Sequence, residues 1–232
     1  MIDDFKRYLR MMFYSARLIA GRKFWIIVLL PLLWLLLRAV FIMFGWADGK
    51  LGPEDAHYLM SIPLSVVAIG LGIRIIAGEI DSRTLEIAYT VPGGCHRIWL
   101  AKIATSVSML LVSEMFLTLF TMLFFTSVTP GTLYGVLQGS VFYLIVGMAF
   151  STFFRSEITG AMATAALFAF NLLVGAGTRI SPFFNPLVID NTEKSQVLPY
   201  TIQNRIFFII FIAVITLLTF SRVERREKML GD

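Results

Sequence analysis

The stretch "GEIDSRTLEIAYTVPGGCHRIWLAKI", Gly78–Ile103, is charged and punctuated by Pro92, Gly93 and Gly94. It stands between two runs of nearly pure hydrocarbon, so its reading decides the fold. If the flanking runs cross a bilayer, this is a polar passage held at one membrane face. Composition favours that reading. Of 232 residues, 57% are hydrophobic and 15% charged, and the mean hydropathy is +0.79. A soluble domain cannot cover that much apolar surface. The fold expected is an all-α integral membrane protein whose one membrane domain takes up nearly the whole length. The net charge of +5 is gathered at the ends of hydrophobic runs rather than along one face, so no nucleic-acid partner is expected.

A span needs roughly twenty mostly apolar residues to cross about 30 Å of hydrocarbon. Six segments meet that need: Phe24–Trp46, Tyr58–Ala77, Ala104–Val128, Leu133–Phe154, Ile158–Ala176 and Ile206–Ser221. The fourth and fifth are rich in small residues, which let backbones approach closely in lipid. With a cytoplasmic N-terminus, most of the 20 Lys and Arg fall on the inner side. The outer side keeps only Lys50, Arg179, Lys194 and Arg205. Both termini are therefore expected in the cytoplasm, including the tail 222–232. Cys95, the lone cysteine, then lies in a reducing compartment and has no disulfide partner in the chain.

Residues 1–23 read as an amphipathic helix on the inner leaflet rather than a signal peptide. Phe5, Tyr8, Leu9, Met12, Phe13, Ala16, Ile19 and Ala20 recur at helical spacing, and Asp3 or Asp4 offers a cap. A hinge is expected at Gly21–Lys23. The alternative is a soluble amphipathic helix packed on a partner; the immediate junction with a membrane span favours the interfacial reading.

Orientation places segment 78–103 in the cytoplasm. Asp81 or Ser82 can cap a short helix, "RTLEIAYT", with Leu85, Ala88 and Tyr89 on one face. Pro92–Gly94 ends it. Most connections are about four to six residues long, and the link between spans three and four is just "TPGT". A longer passage with its own capped helix reads as a surface for a partner to grip.

These residues resemble the E…GTLE…TP…R…K pattern of the ABC transporter type-2 permease family, on Glu79, Thr84, Leu85, Glu86, Pro92, Arg97 and Lys102. Arg83 stands where that family commonly has glycine. Gly93–His96 replaces its shorter link before the arginine. The layout of spans, basic N-terminal helix and long last connection extends the resemblance over essentially the whole chain. It implies a coupling helix docked in a cleft on a separate ATP-binding-cassette ATPase subunit, with Glu79, Asp81, Arg83 and Glu86 fixing its register. It also implies a second permease copy, identical or related, a bacterial cytoplasmic membrane, and export. The chain has no G-x-x-x-x-G-K-[ST], so ATP and Mg would sit on the partner and no cofactor on this chain. A route between two copies, lined by apolar and small side chains of spans one, two and five, would suit a lipid-like or amphipathic cargo.

Three further features bear on function. Arg38 and Glu114 lie within spans, where ionisable groups are costly. At about 1.5 Å per residue they sit roughly 21 Å and 15 Å above the inner ends of their helices, close enough to pair if those helices are neighbours. Snorkelling for Arg38, and protonation or a hydrogen bond within the bundle for Glu114, stand beside that reading. Arg74 is expected to snorkel and is assigned no role. The outer connection 177–204 is apolar at Phe183, Phe184 and Leu187 and broken by three prolines. It is expected either to dip back toward the outer leaflet, as the family's short re-entrant helices do, with Phe183 and Phe184 at an outer gate, or to be a plain loop anchored by aromatics.

A membrane enzyme is the rival class. His57 and His96 are expected on opposite faces, and there is no H-E-x-x-H metal site, G-x-S-x-G elbow or paired intramembrane carboxylates. An ATP-independent secondary transporter or channel is the other, without an obvious repeated half.

Overall fold

A computed structural model describes residues 13–17, 19–47, 49, 51–81, 95–175, 178–189 and 197–224. Its helices are α1 (Phe24–Met43), α2 (Pro53–Gly72), the five-residue α3 (Ala77–Asp81), α4 (Cys95–Phe124), α5 (Pro130–Phe154), α6 (Glu157–Phe170) and α7 (Val197–Val223). There is no strand among the described residues. Among them, α1, α2, α4, α5 and α7 are long and apolar enough to cross a membrane. The chain is a multi-pass, all-α membrane protein.

The expected fifth span is the exception. It forms the 14-residue α6 and then a π-helical turn, Asn171–Gly175, so five helices rather than six reach span length among the described residues. Other boundaries also move. α4 starts at Cys95, not Ala104, and so takes up the end of the charged passage as helix. α7 starts at Val197, not Ile206, and absorbs the end of the outer connection. α2 runs Pro53–Gly72 instead of Tyr58–Ala77.

Local chemistry sets the starts. Pro53 occupies the first position of α2, where its missing N–H does no harm, and the Gly52 N–H donates to Asp55 Oδ2 at 3.0 Å. Thr129 Oγ1 accepts from Thr132 N at 3.2 Å ahead of Pro130 and α5. Ser156 Oγ accepts from Thr159 N to open α6. Between α5 and α6 stands Arg155, left-handed at φ 54, which reverses the chain in two residues.

The core lies where α2 meets α5, the two most buried helices. Their backbones touch: a Cβ at Gly72 would overlap the Leu144 carbonyl oxygen, and one at Gly147 would stand 3.4 Å from that of Ile69. Gly147 thus serves close packing, as the small residues of the expected fourth span foretold, and Gly72 does the same in the second. α6 rests on α5 through Gly160 against Ser151. α4 packs on α1 and α2, and α7 on α5. α1 and α7 leave broad apolar flanks outward, including Trp25, Leu33, Trp34, Ile209 and Leu217.

Residues 13–17 and 19–20 are helical, with Ala16 and Ile19 buried against the bundle and Tyr14 exposed. Gly21, at φ +76, turns the chain into α1, at the expected hinge. The rest of the amphipathic stretch, with Asp3 and Asp4, lies outside the described residues.

Candidate functional site

One end of the bundle carries a polar cluster at the roots of the charged passage. α2 ends at Gly72, and a tight turn leads to α3, which presents Glu79. α4 returns from the passage with Trp99 and Lys102 three residues apart, on one face of its first turns. The three side chains meet. Lys102 Nζ lies 2.6 Å from Glu79 Oε1 and donates to the Ile75 carbonyl oxygen at 2.9 Å. Trp99 Nε1 donates to Glu79 Oε2 at 3.0 Å. Both carboxylate oxygens are thus engaged, and Trp99 is fully buried, its ring also facing Phe220 of α7. The Lys102 side chain is only 8% exposed and that of Glu79 14%. Few waters compete for the pair, and each charge is partnered in low dielectric.

A second, wetter layer surrounds it. Arg74 Nε is 3.5 Å from Glu157 Oε2, and Arg74 also donates to the Ile19 carbonyl oxygen at 3.2 Å. Asp81 Oδ2 accepts from the Glu157 N–H at 3.2 Å, where it answers the positive start of α6. Arg74, expected to have no role, thus ties the amino-terminal helical stretch to α2 and α6.

Of the motif residues, Glu79 and Lys102 come together and Arg97 is exposed on the first turn of α4; Asp81, expected to help fix register on the partner, joins the second layer. Arg83, Thr84, Leu85, Glu86 and Pro92, with the expected coupling helix, lie outside the described residues.

Comparison of the chain with protein-family models, with curated proteins and with solved structures finds no match.

Within the spans, α1 and α4 are neighbours, yet no ion pair joins Arg38 to Glu114. Arg38 Nε and Glu114 Oε1 are both buried without a hydrogen-bond partner. Among the described residues no cluster of His, Cys, Asp and Glu could hold a metal ion.

At the far end, segment 178–189 turns back onto the bundle. Phe183 is fully buried between Tyr143 of α5 and Phe168 of α6, with ring centroids 5.6 Å away in both cases. Phe184 is buried as well. The Pro182 carbonyl fits against Gly139, where a Cβ would come within 2.7 Å. Asn185 Nδ2 donates to the Glu54 carbonyl oxygen at 2.7 Å, and Asn204 Nδ2 to those of Arg179 and Ser181. The only helix within this segment is a single 3-10 turn, Pro186–Val188.

Proposed function

We propose that this chain is the membrane permease subunit of an ATP-driven ABC exporter, powered by a separate ATP-binding-cassette ATPase. The observation that carries the reading is the Glu79–Lys102 pair, which closes the two roots of the charged passage onto adjacent helices. A partner pushing on residues 82–94 would then move α2 and α4 as one body. Two ATPase subunits would grip that passage from the cytoplasm, with Glu79, Asp81 and Arg97 at its base. Both termini would also lie on that side, in a bacterial cytoplasmic membrane. A second permease copy would cover the apolar flank of α1, and the shared route would carry a lipid-like or amphipathic cargo. Phe183 and Phe184 would close the route's outer mouth.

The test is a photo-cross-linker placed at Glu86 in membranes of the native cell. Capture of an ATP-binding-cassette ATPase, identified by mass spectrometry, is expected. Absence of such an ATPase, or labelling of position 86 from outside the cell, would overturn the reading. The buried Glu114 favours a second reading, an ATP-independent secondary transporter, because intramembrane carboxylates serve proton and ion relays. Transport by the purified chain alone in vesicles would establish it.

A further inference from the structure

A groove of about 620 Å³ runs between α4 and α5. Its walls are apolar: Met115, Leu119 and Met122 on one side, Leu133 and Leu137 on the other. The one acid among the lining residues is Glu114, and no basic residue accompanies it there. Glu114 is 5% exposed, and its Oε1 has no hydrogen-bond partner. The neighbouring Thr118 hydroxyl donates to Glu114's own backbone carbonyl at 2.8 Å and leaves the carboxyl unanswered. Arg38, the nearest expected counter-charge, does not pair with it. Arg205 donates from Nη1 to Gln138 Oε1 at 3.1 Å and lies 5.4 Å from the ring centre of Tyr134; its Nη2 is buried without a partner, and no ion pair joins it to Glu114.

An acid at this depth ordinarily finds a partner within the protein, and the described residues supply none to Oε1. We propose that the groove between α4 and α5 binds a lipophilic cation, its charge against Glu114 and its hydrocarbon body along the apolar walls. The single acidic lining group selects positive charge. Phe116 also lines the groove and adds to its apolar wall. Exposed Met115, Leu119 and Met122 open the groove sideways, on flanks that face lipid in a bilayer. The occupant must therefore be soluble in hydrocarbon, which excludes small hydrophilic amines. The site rests on the membrane-spanning architecture and does not depend on an ATPase partner.

Tetraphenylphosphonium and tetraphenylborate have nearly the same shape and opposite charge, so together they separate charge recognition from filling by any greasy molecule. Binding of each to the purified full chain in lipid nanodiscs would be measured by equilibrium dialysis. The wild type should bind the phosphonium saturably and at least tenfold tighter than the borate. Glu114→Gln, near-isosteric and checked for an unchanged unfolding midpoint, should lose at least tenfold in phosphonium affinity. Leu119→Trp, which fills the groove and keeps the acid, should weaken phosphonium binding by a similar factor and covers the case in which the first variant fails to fold. Equal binding of both ions, no binding, or unchanged phosphonium affinity in either folded variant would overturn the site. None of these results bears on the cross-link at Glu86, so the two proposals fail separately.

Discussion

Lys102 Nζ lies 2.6 Å from Glu79 Oε1, although 23 residues separate them. Removing one partner of a largely buried pair leaves the other charge without its counter-charge in that pair. Lys102→Met or Glu79→Gln alone should destabilise the protein by about 3–5 kcal/mol, and the double variant by clearly less than the sum. A double-mutant cycle on unfolding in detergent measures both.

Trp99→Phe keeps an aromatic ring, though a smaller one, and deletes one hydrogen bond to a carboxylate. The expected loss is about 1.5–3 kcal/mol, read from the same unfolding curves. Trp99→Ala adds a cavity and should cost about 3–5 kcal/mol.

Arg74 makes the weaker link. Its side chain is 49% exposed, so water and salt screen its attraction to Glu157. Glu157→Gln should change stability by no more than about 1 kcal/mol. A larger loss would show that the outer layer matters as much as the inner pair.

Two glycines on α2 give a matched contrast. Gly72→Ala drives a methyl into the Leu144 carbonyl and should cost about 1–3 kcal/mol or more. Gly70→Ala meets nothing within 4 Å and should be neutral or stabilising by up to about 1 kcal/mol. Thermal unfolding midpoints of the two variants settle the comparison.

Phe183→Ala empties the slot between Tyr143 and Phe168. A loss of about 3–5 kcal/mol is expected, with faster proteolysis of segment 178–189. Leu187→Ala, four residues on and exposed, should leave both measurements near the wild type.

The membrane class and five of the spans were legible because a long, unbroken apolar run is costly in water and at home in a bilayer. The turn at Gly21 was legible from "GRK", and the inward fold of Phe183 and Phe184 from apolar residues in a segment otherwise rich in turns. The start of α4 was not, because "CHRIWLAK" is too polar for a hydropathy window yet helical once Trp99 and Lys102 share a face. The same spacing was the available signal for Trp99, which otherwise reads as an aromatic at the membrane surface. The role of Arg74 was hidden for another reason: its partners, Ile19 and Glu157, come from distant parts of the chain, and local pattern carries no information about them. α6 is short because its regular helix gives way at Asn171, in a run whose hydropathy does not change.

Helix lengths set a last consequence. At about 1.5 Å per residue, α4 is roughly 45 Å long and α6 roughly 21 Å, against about 30 Å of hydrocarbon. The first must lean or protrude, whereas the second gains reach only through the π-helical turn Asn171–Gly175, so the two flanks present different lengths of helix to the bilayer. Acyl-chain length should therefore tune this protein unevenly, with the α4 and α6 flanks responding differently to shorter tails.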